Sequence, residues 1–147
     1  MNQPVPISRI HPASKIPALQ TAGSAGFDLA ASETMTIEPG EVALVPTGLV
    51  IAVPEGHFLG VFARSSTPLK RGLMVANGVG VVDADYSGPT DEIKIEVFNF
   101  TAAPVTVNAG DRLAQGILIP FTRPDWVERT PDGPSRGGFG SPGEGER

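Results

Sequence analysis

Glycine and proline interrupt this chain so often that they restrict its fold more than any other feature. Its 147 residues include 18 glycines and 15 prolines. Proline breaks a helix interior and glycine destabilises it, so long helices, and with them a helical bundle, are excluded. Short apolar runs lie between the turn residues along most of the chain. Many short strands at this spacing predict an all-β sandwich, barrel or jelly roll.

The turns divide the chain into six predicted strands, one short helix and a tail. The strands are predicted at residues 41–45, 48–53, 57–63, 93–100, 105–107 and 112–120. A helix is predicted at residues 66–71, where a serine can cap the first turn and a proline fits it. We therefore expect a β domain over residues 1–121. Residues 122–147 are rich in glycine and proline and are expected to form a flexible C-terminal arm.

The composition excludes several classes of function. The chain has no cysteine, which rules out a disulfide scaffold, a thiolate metal site and a cysteine nucleophile. A net charge of −5 and the lack of a basic stripe argue against nucleic-acid binding. No apolar run reaches the roughly 18–20 residues of a membrane span, and the first residues lack the apolar core of a secretory signal. A cytoplasmic location, without membrane contact, is therefore expected.

Two polar clusters could carry chemistry. The run Arg-Ser-Ser at 64–66 follows an apolar strand, and it could bind a phosphate through charge, hydroxyls and helix N–H groups. In the segment 77–86, Gly78 and Gly80 allow the backbone to approach a ligand closely, and Asp83 could activate a water as a general base. Each cluster alone also fits ordinary structure: a capped helix for the first and a β-hairpin for the second.

Five segments, in order along the chain, resemble the five motifs of the homotrimeric dUTP diphosphatases (dUTPases). They are AGFDL at 25–29, ARSS at 63–66, GVVDADY at 80–86, GDRLAQ at 110–115 and GGFGS at 137–141. Five matches in order are far more specific than any one of them. The resemblance implies a jelly-roll-like β subunit with one short helix. It also implies a homotrimer in which three chains build each active site and the C-terminal arm closes over the nucleotide.

The implied reaction is the hydrolysis of dUTP to dUMP and pyrophosphate, which keeps uracil out of DNA and supplies dUMP for thymidylate synthesis. By resemblance, Asp83 is the catalytic residue, which would orient and deprotonate the water that attacks the α-phosphorus. Mg²⁺ is the implied cofactor, because the acidic protein cannot offset the charge of the triphosphate by long-range attraction. Asp28 would accept hydrogen bonds from waters on that ion.

The resemblance also implies how dUTP is bound. A hairpin at 77–82 would read the uracil edge, and Tyr86 under the sugar would exclude a 2′-hydroxyl. Phe139 would stack on the uracil ring. Arg136 would reach the γ-phosphate, although related motifs carry their arginine a few residues earlier. The implied substrate-binding residues are Arg64, Ser65, Ser66, Asn77, Gly80, Val82, Tyr86, Gln115, Arg136, Phe139, Gly140 and Ser141.

Two alternatives stay open. The dCTP deaminases share the fold and the Arg-Ser-Ser run, so a deaminase or a bifunctional deaminase–diphosphatase is the alternative enzyme. Their catalytic glutamate lies in a context like that of Glu96, but Leu69 stands where they carry an arginine, and they lack the run found here at 83–86. The third alternative is a non-catalytic β-sandwich that binds a partner or a nucleotide, since a fold alone does not determine function.

Overall fold

A computed structural model describes residues 2–140 and confirms the all-β fold class. Within that range the chain forms one helix, α1 (Ser66–Arg71), and eleven strands. The strands are β1 (Ile7–Arg9), β2 (Phe27–Ala30), β3 (Met35–Ile37), β4 (Val42–Pro46), β5 (Leu49–Ile51), β6 (His57–Ala63), β7 (Leu73–Val75), β8 (Gly80–Val82), β9 (Lys94–Asn99), β10 (Val105–Val107) and β11 (Arg112–Pro120). No helix in the described range is long and apolar enough to cross a membrane.

The strands form two larger sheets and two strand pairs. One sheet has the order β2-β11-β6-β8, the other has the order β4-β9-β7, and the pairs are β1-β5 and β3-β10. Alternating side chains of both larger sheets point inward and form one buried aliphatic cluster, which includes Leu29, Leu59, Ile95 and Leu113. Burial of this cluster is the main stabilising contribution to the fold.

The three-stranded sheet carries a row of apolar side chains on its outer face as well. Val42 pairs with Phe98 across β4 and β9, and Met74 pairs with Phe98 from the other side. Val42 and Leu44 are 55% and 54% exposed. An apolar row of this kind on the outside of a sheet is typical of a surface that another molecule covers.

The predicted hairpin at 77–82 is wrong. Strand β7 pairs with β9 and β8 pairs with β6, so the connection crosses from the three-stranded sheet to the four-stranded sheet. Gly78, at φ +73°, makes the turn, and its N–H donates to the carbonyl of Val75 at 3.1 Å. The chain crosses because each short strand pairs with a longer strand of a different sheet.

The described part of the arm, residues 122–140, has neither helix nor strand, and its side chains are exposed. Trp126 and Val127 are 87% and 82% exposed. Phe139 has a φ of +51° and lies between two glycines that also have positive φ. The β domain of the same chain therefore does not bury the side chains of this part of the arm.

Candidate active site

Three adjacent strands bring the first, second and fourth motif-like segments to one end of the four-stranded sheet. Asp28 on β2 pairs with Gln115 on β11, and Ala114 beside it pairs with Ala63, the last residue of β6. Arg64 and Ser65 follow directly. The side chains of Asp28, Gln115 and the two residues after Ala63 line a cavity of about 310 Å³, here called the phosphate pocket. Its lining residues are Gln20, Ser24, Ala25, Gly26, Asp28, Arg64, Ser65 and Gln115.

A carboxylate between two arginines determines the electrostatics of the phosphate pocket. The Asp28 side chain is 12% exposed, and its Oδ1 lies 2.9 Å from Nε of Arg64. Its Oδ2 lies 3.3 Å from Nη1 of Arg112. Nη1 of Arg64 also donates to the carbonyl of Arg112 and, at 3.4 Å, to Oγ of Ser66. Two positive charges and one negative charge leave this corner positive and hold the Arg64 guanidinium in place.

The two serines differ in their surroundings. Ser65 precedes α1, but its side chain makes no capping bond, so the serine cap predicted from the sequence is not formed. The hydroxyl of Thr67, inside the helix, instead accepts from the N–H of Arg64, which precedes the helix, at 3.0 Å. The Ser65 hydroxyl therefore remains available on the pocket wall, while Ser66 supports Arg64 from the side.

A hydrogen bond orients the Gln115 side chain at the phosphate pocket, and the absence of a side chain on Gly26 leaves space for its amide. Its Nε2 donates to the carbonyl of Ala63 at 3.1 Å. A Cβ on Gly26 would lie 2.6 Å from its Oε1, so a side chain at that position would force the amide to shift. The amide carries a second N–H, which is available to a ligand.

A second cavity contains the third motif-like segment. Asp83 and Tyr86 line a space of about 310 Å³, here called the Asp83 pocket, together with Leu44, Val81, Val82, Glu92, Ile93 and Lys94. The Tyr86 hydroxyl donates to the carbonyl of Glu92 at 2.9 Å, and its N–H donates to the carbonyl of Asp83 at 3.1 Å. The first bond fixes the ring and the second closes the turn between Asp83 and Tyr86, and both residues line the same pocket. A larger cavity of about 640 Å³ also borders Asp83 and contains Arg123.

The two pockets lie at opposite ends of β6. Asp83 follows Val82, which pairs with Leu59 near the start of β6, whereas Arg64 follows the end of that strand. About six residues of strand at roughly 3.3 Å each place these two side chains on the order of 20 Å apart within one chain. One chain therefore does not bring Asp83 to its own phosphate pocket.

The other predicted residues that the structure describes lie outside both pockets. Asn77 is exposed in the turn before β8, and Gly80 pairs with Val61 within the sheet. Arg136, Phe139 and Gly140 lie in the exposed arm, and Ser141 falls outside the described residues. The structure brings Arg64, Ser65, Gln115 and Asp28 together, and separately Asp83, Val82 and Tyr86.

Sequence reasoning missed several residues at the pockets. Arg112 lies in the fourth motif-like segment, but no pattern in the sequence indicates that it pairs with Asp28. Gln20, Ser24 and Lys94 reach the two pockets only through the fold, and no local pattern marks them.

Comparison with known proteins identifies the family. The dUTPase family model matches residues 13–143. The deoxyuridine 5′-triphosphate nucleotidohydrolase of Wolinella succinogenes is 43% identical over 139 residues, which are 92% of this chain and 91% of that enzyme. The crystal structure of dUTPase from Streptococcus mutans matches with a TM-score of 0.75 at 35% identity, over 82% of this chain and 98% of that one. A point variant of the dUTPase from phage phi11 of S. aureus, which coordinates a structural Mg(II) ion, shares the fold with a TM-score of 0.79 at 22% identity, over 86% and 97%. This chain belongs to the dUTPase family.

Proposed function

We infer that this chain hydrolyses dUTP to dUMP and pyrophosphate. Family membership over nearly the whole chain supports this reaction. The observation in the structure that carries it is the convergence of Arg64, Ser65 and Gln115 on one positive pocket. The deaminase alternative has no support, because the matching relatives are nucleotidohydrolases. Glu96 pairs with Leu44 on the outer face of the three-stranded sheet and lines neither pocket.

The phosphate pocket suits a polyphosphate. Arg64 and Arg112 supply charge, and the Ser65 hydroxyl and the free N–H of Gln115 supply neutral donors. Hydrogen bonds from a guanidinium to phosphate oxygens are about twice as strong as neutral ones. Because Asp28 already fixes Arg64, the guanidinium does not need to be ordered when the nucleotide binds. Positioning and charge stabilisation are most of what phosphoryl transfer requires.

Magnesium fits this pocket as an ion carried mainly by the nucleotide. In residues 2–140, no group of three or more acidic or histidine side chains lies together as a metal cage. Mg²⁺ usually keeps several waters and binds through substrate phosphates with one or two carboxylates. When bound, it would offset charge on the phosphates. Asp28 would accept from its waters only by sharing oxygens that already accept from Arg64 and Arg112.

Asp83 is the proposed general base. Its carboxylate would take a proton from a water whose oxygen forms a bond to the α-phosphorus. The bond from that phosphorus to the oxygen bridging to the β-phosphate breaks, and pyrophosphate leaves with the bonding electron pair. An aspartate suits this role because it can both orient and deprotonate the water.

The separation of the two pockets supports a site shared between copies. A general base must lie within hydrogen-bond reach of the water it activates, and roughly 20 Å is far beyond that reach. We therefore place Asp83 of one copy at the phosphate pocket of another, in a homotrimer. The apolar outer face of the three-stranded sheet offers a surface for this association, and the uncovered Trp126 and Val127 fit an arm that extends over a neighbouring copy.

Nucleoside recognition is assigned to the Asp83 pocket and the arm. The Tyr86 ring, fixed by its bond to the carbonyl of Glu92, would leave no space for a 2′-hydroxyl. The turn at 77–82, with the Asn77 side chain and the backbone at Gly80 and Val82, would read the uracil edge. Cytosine would present a donor where this edge needs an acceptor, which leaves a buried group unpaired.

The proposed arm contacts come from a neighbouring copy. Phe139 would stack on the uracil ring, and Arg136 would bind the γ-phosphate. Gly140 and Ser141 would bring backbone groups near the phosphates. The full exposure of the Phe139 ring supports this assignment, because it leaves both faces of the ring accessible to a base.

Product analysis tests the reaction. Purified protein with Mg²⁺ is incubated with dUTP and, separately, with dCTP. We expect pyrophosphate and dUMP from dUTP, and no ammonia from dCTP. Absence of pyrophosphate from dUTP would contradict the proposal, and ammonia from dCTP would restore the deaminase.

A further inference from the structure

Thr67 occupies an unusual position beside the phosphate pocket. It is the second residue of α1, its side chain is completely buried, and it lines neither pocket. The five motif-like segments do not include it. A buried hydroxyl is retained at low cost only where it is hydrogen-bonded, so its partners indicate what it does.

The Thr67 hydroxyl joins two segments of the phosphate pocket. It accepts from the N–H of Arg64 at 3.0 Å and donates to the carbonyl of Leu113 at 2.8 Å. Arg64 begins the Arg-Ser-Ser run, and Leu113 lies two residues before Gln115. One oxygen atom therefore connects the segment that carries Arg64 and Ser65 to the strand that carries Gln115.

The backbone pairing of the sheet does not extend to Arg64 and Leu113. The pairing of β6 with β11 ends at Ala63 and Ala114. On the other side of β11, the register with β2 shifts between Arg112 and Ala114, so Leu113 is the extra residue of a bulge. A bulged residue is left out of the ladder, and the Leu113 carbonyl is turned to Thr67 instead.

We propose that Thr67 is a positioning residue that sets the spacing between Arg64–Ser65 and Gln115 for a triphosphate. This role rests on the proposed function of the pocket. Loss of the hydroxyl leaves the Arg64 N–H and the Leu113 carbonyl unpaired, and both groups move to find other partners. The nucleoside end of the substrate does not depend on this spacing, because Tyr86 and Asp83 lie at the other end of β6.

The test compares a ligand that has phosphates with one that has none. The triphosphate probe is α,β-imido-dUTP with Mg²⁺, measured by calorimetry, and the nucleoside probe is deoxyuridine, measured as a competitive inhibitor. For T67V, which keeps the shape and removes the hydroxyl, we expect the imido analogue to bind about tenfold more weakly, with deoxyuridine within about twofold of wild type. T67S keeps the hydroxyl and should restore the triphosphate affinity.

Thr47 provides a matched control. It is also completely buried, and its hydroxyl accepts from the N–H of Leu49 and donates to the carbonyl of Ile93. T47V therefore loses the same two kinds of bond, one of them to Ile93 of the Asp83 pocket, where any effect on nucleoside binding is shared by both ligands. We expect it to lower the melting temperature about as much as T67V and to leave the ratio of the two affinities unchanged.

The outcome is judged by the ratio of the affinity for the imido analogue to the affinity for deoxyuridine. Equal weakening of both ligands by T67V, no weakening of either, or failure of T67S to restore the triphosphate affinity would overturn the positioning role. If T67V does not fold, T67A compared with T67S gives the same ratio. Wild-type protein that binds the imido analogue but does not hydrolyse dUTP would refute the proposed function instead.

Discussion

Gly26 provides the sharpest test of how the phosphate pocket is built. A Cβ at this position would lie 2.6 Å from Oε1 of Gln115, whereas ordinary contacts begin at 3.4 Å. In G26A the amide must retreat by about 0.8 Å, which stretches its bond to the carbonyl of Ala63. Displacements near 1 Å can cost on the order of 10²-fold in rate, so we expect kcat/KM for dUTP to fall between about ten- and a hundred-fold. The nearest backbone atom, the carbonyl oxygen of Gly116, is 3.3 Å from that Cβ, so the fold should tolerate the change.

Three further variants isolate the cause. G23A adds the same methyl group in the same loop, where no atom lies within 4 Å, and should keep the wild-type rate. Q115A removes the amide, and adding G26A to it should cost little more, because the two changes act on one group. The activities of G26A, G23A, Q115A and the double variant are measured as steady-state pyrophosphate release and compared with that of wild type. Wild-type activity in G26A, or losses that simply multiply in the double variant, would refute this account of the pocket.

Three other changes test the remaining parts of the site. D28N removes the charge shared by Arg64 and Arg112 and should lower kcat/KM for dUTP at least about tenfold, as measured by pyrophosphate release; an unchanged value would show that the arginines hold their positions without it. Y86A removes the ring that we propose lies under the sugar and should raise the rate with UTP relative to dUTP in parallel assays; a constant ratio would place sugar selection elsewhere. Removal of residues 134–147 should cut turnover strongly while light scattering still reports a trimer, and an unchanged rate would show that the arm takes no part.

The sequence predicts the long elements well. The bounds of β6, β11 and α1 match the predictions at 57–63, 112–120 and 66–71, because local glycine and proline signals delimit each of these elements. Local signals suffice where the element is long or where its ends carry strong turn residues.

Pairing and contacts across the chain are not predicted. The segment 77–82 has the local chemistry of a hairpin, yet β7 and β8 find longer partners in different sheets. The expected serine cap does not form, and the Thr67 hydroxyl bonds instead to the carbonyl of Leu113 in the bulge of β11. The pairing of Asp28 with two arginines depends on strands that lie far apart in sequence. These features follow from tertiary packing, which outweighs local propensity.

Subunit mixing tests most directly whether Asp83 and the phosphate pocket of different copies act together. D83N should lack turnover yet bind dUTP, and R64A should lack turnover because it loses phosphate binding. In randomly mixed trimers of equal amounts, about one site in four combines an intact Asp83 from one copy with an intact Arg64 from another. We expect the mixture to recover about a quarter of the wild-type rate. A mixture that is as inactive as its two components, although mass analysis shows mixed trimers, would contradict the shared site.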